Sequence, residues 1–90
     1  MQLRALTDGS VTGTGTVQTR LIGGVLITAD GTNDATVILR RVDSNGKQIF
    51  KLVTKSPQMI VSPIGTESAE TVYYSISGTG AAAQLYEWVE

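Results

Sequence analysis

Apolar side chains along this chain recur at every second position, not at every third or fourth. Val72, Tyr74 and Ile76 alternate against Tyr73 and Ser75, and Leu85 and Val89 alternate against Tyr86 and Trp88. Period two is the pattern of a strand with one buried face. Residues 48–54 divide in the same way, with Ile49, Lys51 and Val53 on one side and Phe50, Leu52 and Thr54 on the other. The most apolar run, Leu21 to Ala29, is short and partly β-branched, so it reads as a strand. Its Gly23-Gly24 pair predicts a bulge or a close backbone approach. Ala81 to Leu85 has helical propensity, but the turn before it and the alternation after it favour a strand.

Turn chemistry separates these segments. Asp30-Gly31-Thr32-Asn33-Asp34 predicts a reversal, so residues 21–42 read as one hairpin. Asp43-Ser44-Asn45-Gly46 is the strongest short hairpin signal, with 48–54 as the return strand. Pro57 and Pro63 bracket a short strand at 58–62, as suits a sheet edge. Residues 64–70 read as a polar loop, and Gly78-Thr79-Gly80 as a tight turn joining the last two strands. The fold class expected is all-β: a small antiparallel β-sandwich or barrel of about six to seven short strands. Its strand order, jelly roll or immunoglobulin-like, stays open. Residues 1–20 are rich in Gly and Thr and read as an extended arm or edge strand, with the sandwich domain in 21–90.

Ninety residues make one domain. A domain of this size buries only roughly 60–65% of the surface its unfolded chain exposes, so added stability from a partner is valuable. The chain has no Cys and no His, which removes disulfides, thiol nucleophiles, imidazole bases and the common zinc sites. Seven basic and eight acidic residues, without a block of one sign, argue against a nucleic-acid binder. The longest apolar run is too short for a membrane helix, which needs about 20 residues, and the first residues lack the apolar core of a secretory signal. A soluble, cytosolically made protein is expected, with no nucleic acid, no membrane and no cofactor.

Three motifs are weighed for chemistry. Gly78, Gly80 and Ala83 match a dinucleotide-binding glycine pattern, but too little chain follows for a βαβ unit. Asp30, Thr32 and Asp34 have the odd-position spacing of a calcium loop, yet Ala35 and Arg41 stand where that loop needs Gly and Glu, so an Asx turn is the better reading. Glu67 and Glu70 are the nearest acidic pair in one loop, and a sugar-cleaving site around them is not expected in so small a domain. No catalytic residue is therefore assigned, and an enzyme is not expected.

The candidate interface residues are Tyr73, Tyr86, Trp88, Arg40 and Arg41. Arg40 and Arg41, with Lys47, Lys51 and Lys55, read either as charge that guards against edge-to-edge aggregation or as a docking face for an acidic protein surface. Tyr73, Tyr86 and Trp88 fall on the last two strands, where cross-strand neighbours would form an aromatic surface. That surface suits a partner subunit or, alternatively, a sugar.

Two blocks carry a resemblance. Gly24-Val25-Leu26-Ile27-Thr28-Ala29-Asp30-Gly31-Thr32-Asn33-Asp34-Ala35-Thr36-Val37 and Tyr73-Tyr74-Ser75-Ile76-Ser77-Gly78-Thr79-Gly80-Ala81, about a quarter of the chain, resemble a pattern of small virion structural proteins of tailed bacteriophages. The resemblance implies a structural role on the particle, as a capsid decoration (cement) protein or a head–tail accessory. It implies a homo-oligomer, with a trimer favoured, bound to the major capsid protein or another virion protein, and residues 1–20 are then expected to extend onto a neighbouring subunit or the major capsid protein. It implies assembly in the host cytoplasm and residence in the virion. A carbohydrate-binding or host-adhesion module of a tail or head fibre is the alternative.

Overall fold

The computed structural model describes residues 2–19, 22–64 and 70–89. The described residues form eight strands: β1 (Gln2–Ala5), β2 (Gly13–Thr19), β3 (Ile22–Thr28), β4 (Ala35–Arg41), β5 (Gln48–Thr54), β6 (Gln58–Ile64), β7 (Glu70–Ser77) and β8 (Ala82–Val89). They lie in two four-stranded antiparallel sheets, ordered β1-β8-β3-β6 (sheet A) and β2-β7-β4-β5 (sheet B). The all-β sandwich is as predicted, with more strands than expected because residues 2–19 contribute β1 and β2.

The ladders have a simple logic. β1 pairs with β8, β2 with β7, β3 with β6 and β4 with β5, as in one long ribbon doubled back at the β4–β5 turn. The ribbon is rolled so that β8 also pairs with β3, and β7 with β4. This is the jelly-roll order, two interlocked Greek keys. Two sequence expectations are corrected by it. β3 and β4 are not a hairpin, because they lie in opposite sheets, and the same holds for β7 and β8. Turn residues specify that the chain reverses. Whether the returning strand joins the same sheet or the facing one depends on where its apolar side chains are buried. Here both connections are arches from sheet to sheet.

Residues 2–19 lie along the sandwich, where β1 and β2 are an edge strand of each sheet. Between them Leu6 donates its N–H to Leu85 O at 2.8 Å, and Val11 bridges Ala83 before the chain crosses to sheet B. Leu6, Val11 and Val17 pack against the core. Residues 65–69, most of the expected polar loop, lie outside the described residues.

The core is where the inner faces meet. Val25, Ile27 and Leu85 of sheet A oppose Val37, Leu39 and Val72 of sheet B, all fully buried. Each such side chain contributes roughly 1.5–3 kcal/mol of transfer free energy. Alternation produces this layer directly: in β4, Ala35, Val37 and Leu39 are buried while Thr36, Ile38 and Arg40 are half-buried on the outside. Thr54, the buried polar residue among those described, donates to Ser56 O at 2.9 Å and accepts from Gln58 Nε2 at 3.0 Å.

The β4–β5 hairpin forms as predicted, but not as a two-residue turn. Gly46 N–H donates to Asp43 O at 3.0 Å and Arg41 N–H to Lys47 O at 3.0 Å. Gly46 is required because a Cβ there would run into the Arg41 carbonyl. Before the turn, Asp43 N–H donates to Arg41 O at 2.9 Å around Val42, whose φ is 73°. This is a γ-turn of the rarer positive-φ kind, unfavourable for a β-branched residue. Val42 is 56% exposed, so little packing is lost with its side chain. Val42→Gly is expected to raise stability by about 1 kcal/mol, read as a higher urea midpoint at unchanged slope.

The two sequence blocks quoted above meet in the arches. Gly78 lies against the backbone of Asp34 and Ala35, and Gly80 against the side chain of Asp30. Ala81 N–H donates to Gly78 O at 3.2 Å, with Gly80 at φ 75° in the third position of that turn. A type II turn has positive φ, and so favours glycine, at that position.

Candidate functional site

Alternation leaves each sheet an outer face, and the two differ in chemistry. On sheet A the outward residues fall in rows set by the register. Leu3 of β1 lies opposite Trp88 of β8. Tyr86 lies opposite Gly24, and Gly24 opposite Val61 of β6. Gln84 lies opposite Leu26, and Leu26 opposite Met59. An apolar band thus crosses all four strands. Met59 and Val61 are 42% and 53% exposed. Among the described residues no charged side chain belongs to this face. Arg4 and Glu87, which alternate with Leu3 and Trp88, pair at 2.6 Å on the other side of the same two strands.

The predicted bulge helps to shape this face. Both ladders of β3 shift register between Ile22 and Gly24. At Gly23 the indole of Trp88 and the side chain of Leu3 lie flush on the backbone. An added Cβ would come within 2.7 Å of Trp88 Cδ1 and of Leu3 Cδ2. Glycine therefore lets an aromatic ring cover the sheet. Tyr86 OH donates to Gln84 Oε1 at 2.9 Å. The buried indole N–H of Trp88 has no acceptor within the described residues.

Sheet B presents hydroxyls and cations, with Ile38 and the 47% exposed Val53 among them. Thr16 lies opposite Tyr73, and Tyr73 opposite Arg40; Thr14 lies opposite Ser75, which lies opposite Ile38, with Lys51 beyond. The Arg40 guanidinium donates to Gly46 O at 3.3 Å. No carboxylate falls among the described outward positions of this face.

Of the sequence-predicted interface residues, the fold brings together Tyr86 with Trp88 on sheet A, and Tyr73 with Arg40 on sheet B. It does not bring Tyr73 to Tyr86 and Trp88, because β7 and β8 belong to opposite sheets. The expected single aromatic surface is therefore divided by the thickness of the sandwich. Arg41 lies on the other side of β4 from Arg40, in register with buried Val72 at the end of the sheet. Leu3, Leu26, Met59 and Val61 were not singled out in the sequence. Alternation applied to 58–61 separates Met59 and Val61 from Ile60 and was the signal available.

The Asp30 turn is an Asx turn. Oδ1 accepts the N–H groups of Thr32 and Asn33 at 2.8 and 2.7 Å, and Oδ2 accepts Asn33 Nδ2 at 2.8 Å. Among the described residues no group of three or more acidic, His or Cys side chains is placed to hold a metal ion. Hydrogen bonds from the Asn33 and then the Thr32 N–H hold the Asp30 carboxyl below the usual aspartate range. A lowered folded value means that its contribution is complete above the unfolded value and is lost as the pH falls through the folded one. Wild type is thus expected to lose stability on acidification beyond what Asp30→Asn loses, since the amide keeps an acceptor but does not titrate. Urea midpoints measured down the acid range would check this. Equal acid sensitivity in both proteins would refute it.

Glu67 of the acidic pair lies outside the described residues, as does the side chain of Glu70. Comparison with protein families, with curated proteins and with solved structures returns no match to this chain.

Proposed function

We propose that this domain is a structural protein of a tailed-bacteriophage virion, of the capsid-decoration kind, which works through protein–protein contacts and not through catalysis. The observation that carries the reading is the outer face of sheet A, apolar across four strands and free of charge among the described residues. A continuous apolar face on a small domain marks an interaction surface, and a thin core gains stability from whatever covers that face. The outer face of sheet B, with Arg40, Lys51 and Tyr73 among hydroxyls, suits an acidic protein surface. The absence of Cys and His from these 90 residues supports binding over chemistry. Jelly rolls serve as capsid domains and as lectins, so the fold alone does not separate the two. The division of Tyr73 from Tyr86 and Trp88 weighs against the carbohydrate-binding alternative, which drew on all three as one stacking platform.

The test is quantitative mass spectrometry of purified particles produced from the genome that encodes the chain. Copies in a fixed ratio to the major shell subunit are expected. Particles without the chain would overturn the reading.

A further inference from the structure

We propose that the outer face of sheet A is the contact between two copies of this chain, packed back to back about a two-fold axis. This rests on the reading of that face as a protein interface and names its occupant.

Charge is the first argument. The chain carries fifteen charged residues, yet none among those described lies on this face. A charged partner surface placed over it would lose water without gaining a counter-charge, which is costly. The same face of a second copy is uncharged at every described position. Sheets stack face to face about 10 Å apart with their strands within about 30° of each other. Such packing would cover Met59 and Val61, which are 42% and 53% exposed.

Area and symmetry complete the case. A standard interface buries roughly 800 Å² on each partner. The broad side of a molecule measuring 37 × 29 × 20 Å offers that scale of surface. One patch that contacts itself closes as a two-fold dimer, whereas a ring of three needs two different patches. The geometry therefore favours a dimer over the trimer that the resemblance implied. It also leaves both sheet B faces, with Arg40 and Tyr73, turned outward for other partners.

Sedimentation and light scattering of the full chain test this. Wild type is expected at twice the 9.5 kDa chain mass. Met59→Lys and Val61→Lys, both at exposed positions, are expected to weaken association at least about tenfold, near 1.4 kcal/mol, with unchanged circular dichroism. Lys51→Glu on sheet B should leave the dimer intact. A wild-type monomer at high micromolar concentration, a trimer, or a dimer indifferent to both lysines would overturn the proposal. Particle composition reports separately. A monomer whose incorporation into particles is lost in Met59→Lys would sink the dimer and keep the functional reading. A dimer absent from particles would do the reverse.

Discussion

Gly78→Ala is expected to destabilise the fold by about 3 kcal/mol or more, read as a lower urea midpoint followed by Trp88 fluorescence. Two costs add at this position. The backbone has φ 116°, which L side chains rarely adopt. A Cβ there would also run into the Asp34 carbonyl and come within 3.3 Å of Ala35 Cα. Neither neighbour is a flexible side-chain tip, so the β7–β8 arch would have to lift off the β3–β4 arch. Gly31 separates the two costs. Its φ is 89°, but nothing lies within 4 Å of its added Cβ. Gly31→Ala should therefore cost only about 1 kcal/mol, the conformational part alone. Equal losses at both positions would mean that the contact between the arches contributes nothing.

Leu39→Ala is expected to cost about 3 kcal/mol, within the roughly 2–5 kcal/mol seen for buried leucines. Leu39 is fully buried, between Phe50 on β5 and Tyr74 on β7 in the inner row of sheet B. Tyr74 in turn lies over Gly15 of β2, so the row reaches the edge of the sheet. Removing the isobutyl group opens a cavity that two strongly paired neighbours cannot collapse to fill. A domain of this length has only on the order of 5–13 kcal/mol of stability in total, so the midpoint of thermal unfolding should fall by on the order of 15 °C. Ile38→Ala, one residue along on the outer face, should cost about 1 kcal/mol. A Leu39 loss no larger than the Ile38 loss would contradict the assignment of inner and outer faces.

Much of this was legible in the chain. The split of Val72, Tyr74 and Ile76 from Tyr73 and Ser75 is the inner and outer division of β7. The placement of Leu85 against Tyr86 and Trp88 is that of β8. The Gly23-Gly24 bulge, the hairpin at Asp43–Gly46 and the edge position of β6 were also readable, because each depends on neighbours within a few residues. The site was less legible. Met59, Val61 and Leu3 look unremarkable singly and matter only because the register lines them up with Tyr86 and Trp88.

Period, turn chemistry and backbone freedom are local properties, so the sequence specified strands, reversals and which side of each strand is apolar. Ladder partners are not local. β3 lies beside β8 and not β4, and β7 beside β4 and not β8, because that arrangement buries the apolar sides of all four central strands in one layer. The same choice drew residues 2–19 into both sheets and put Tyr73 and the Tyr86–Trp88 pair on opposite sides of the molecule. Side-chain alternation decides the face, but the stacking of the two sheets decides which faces become one surface.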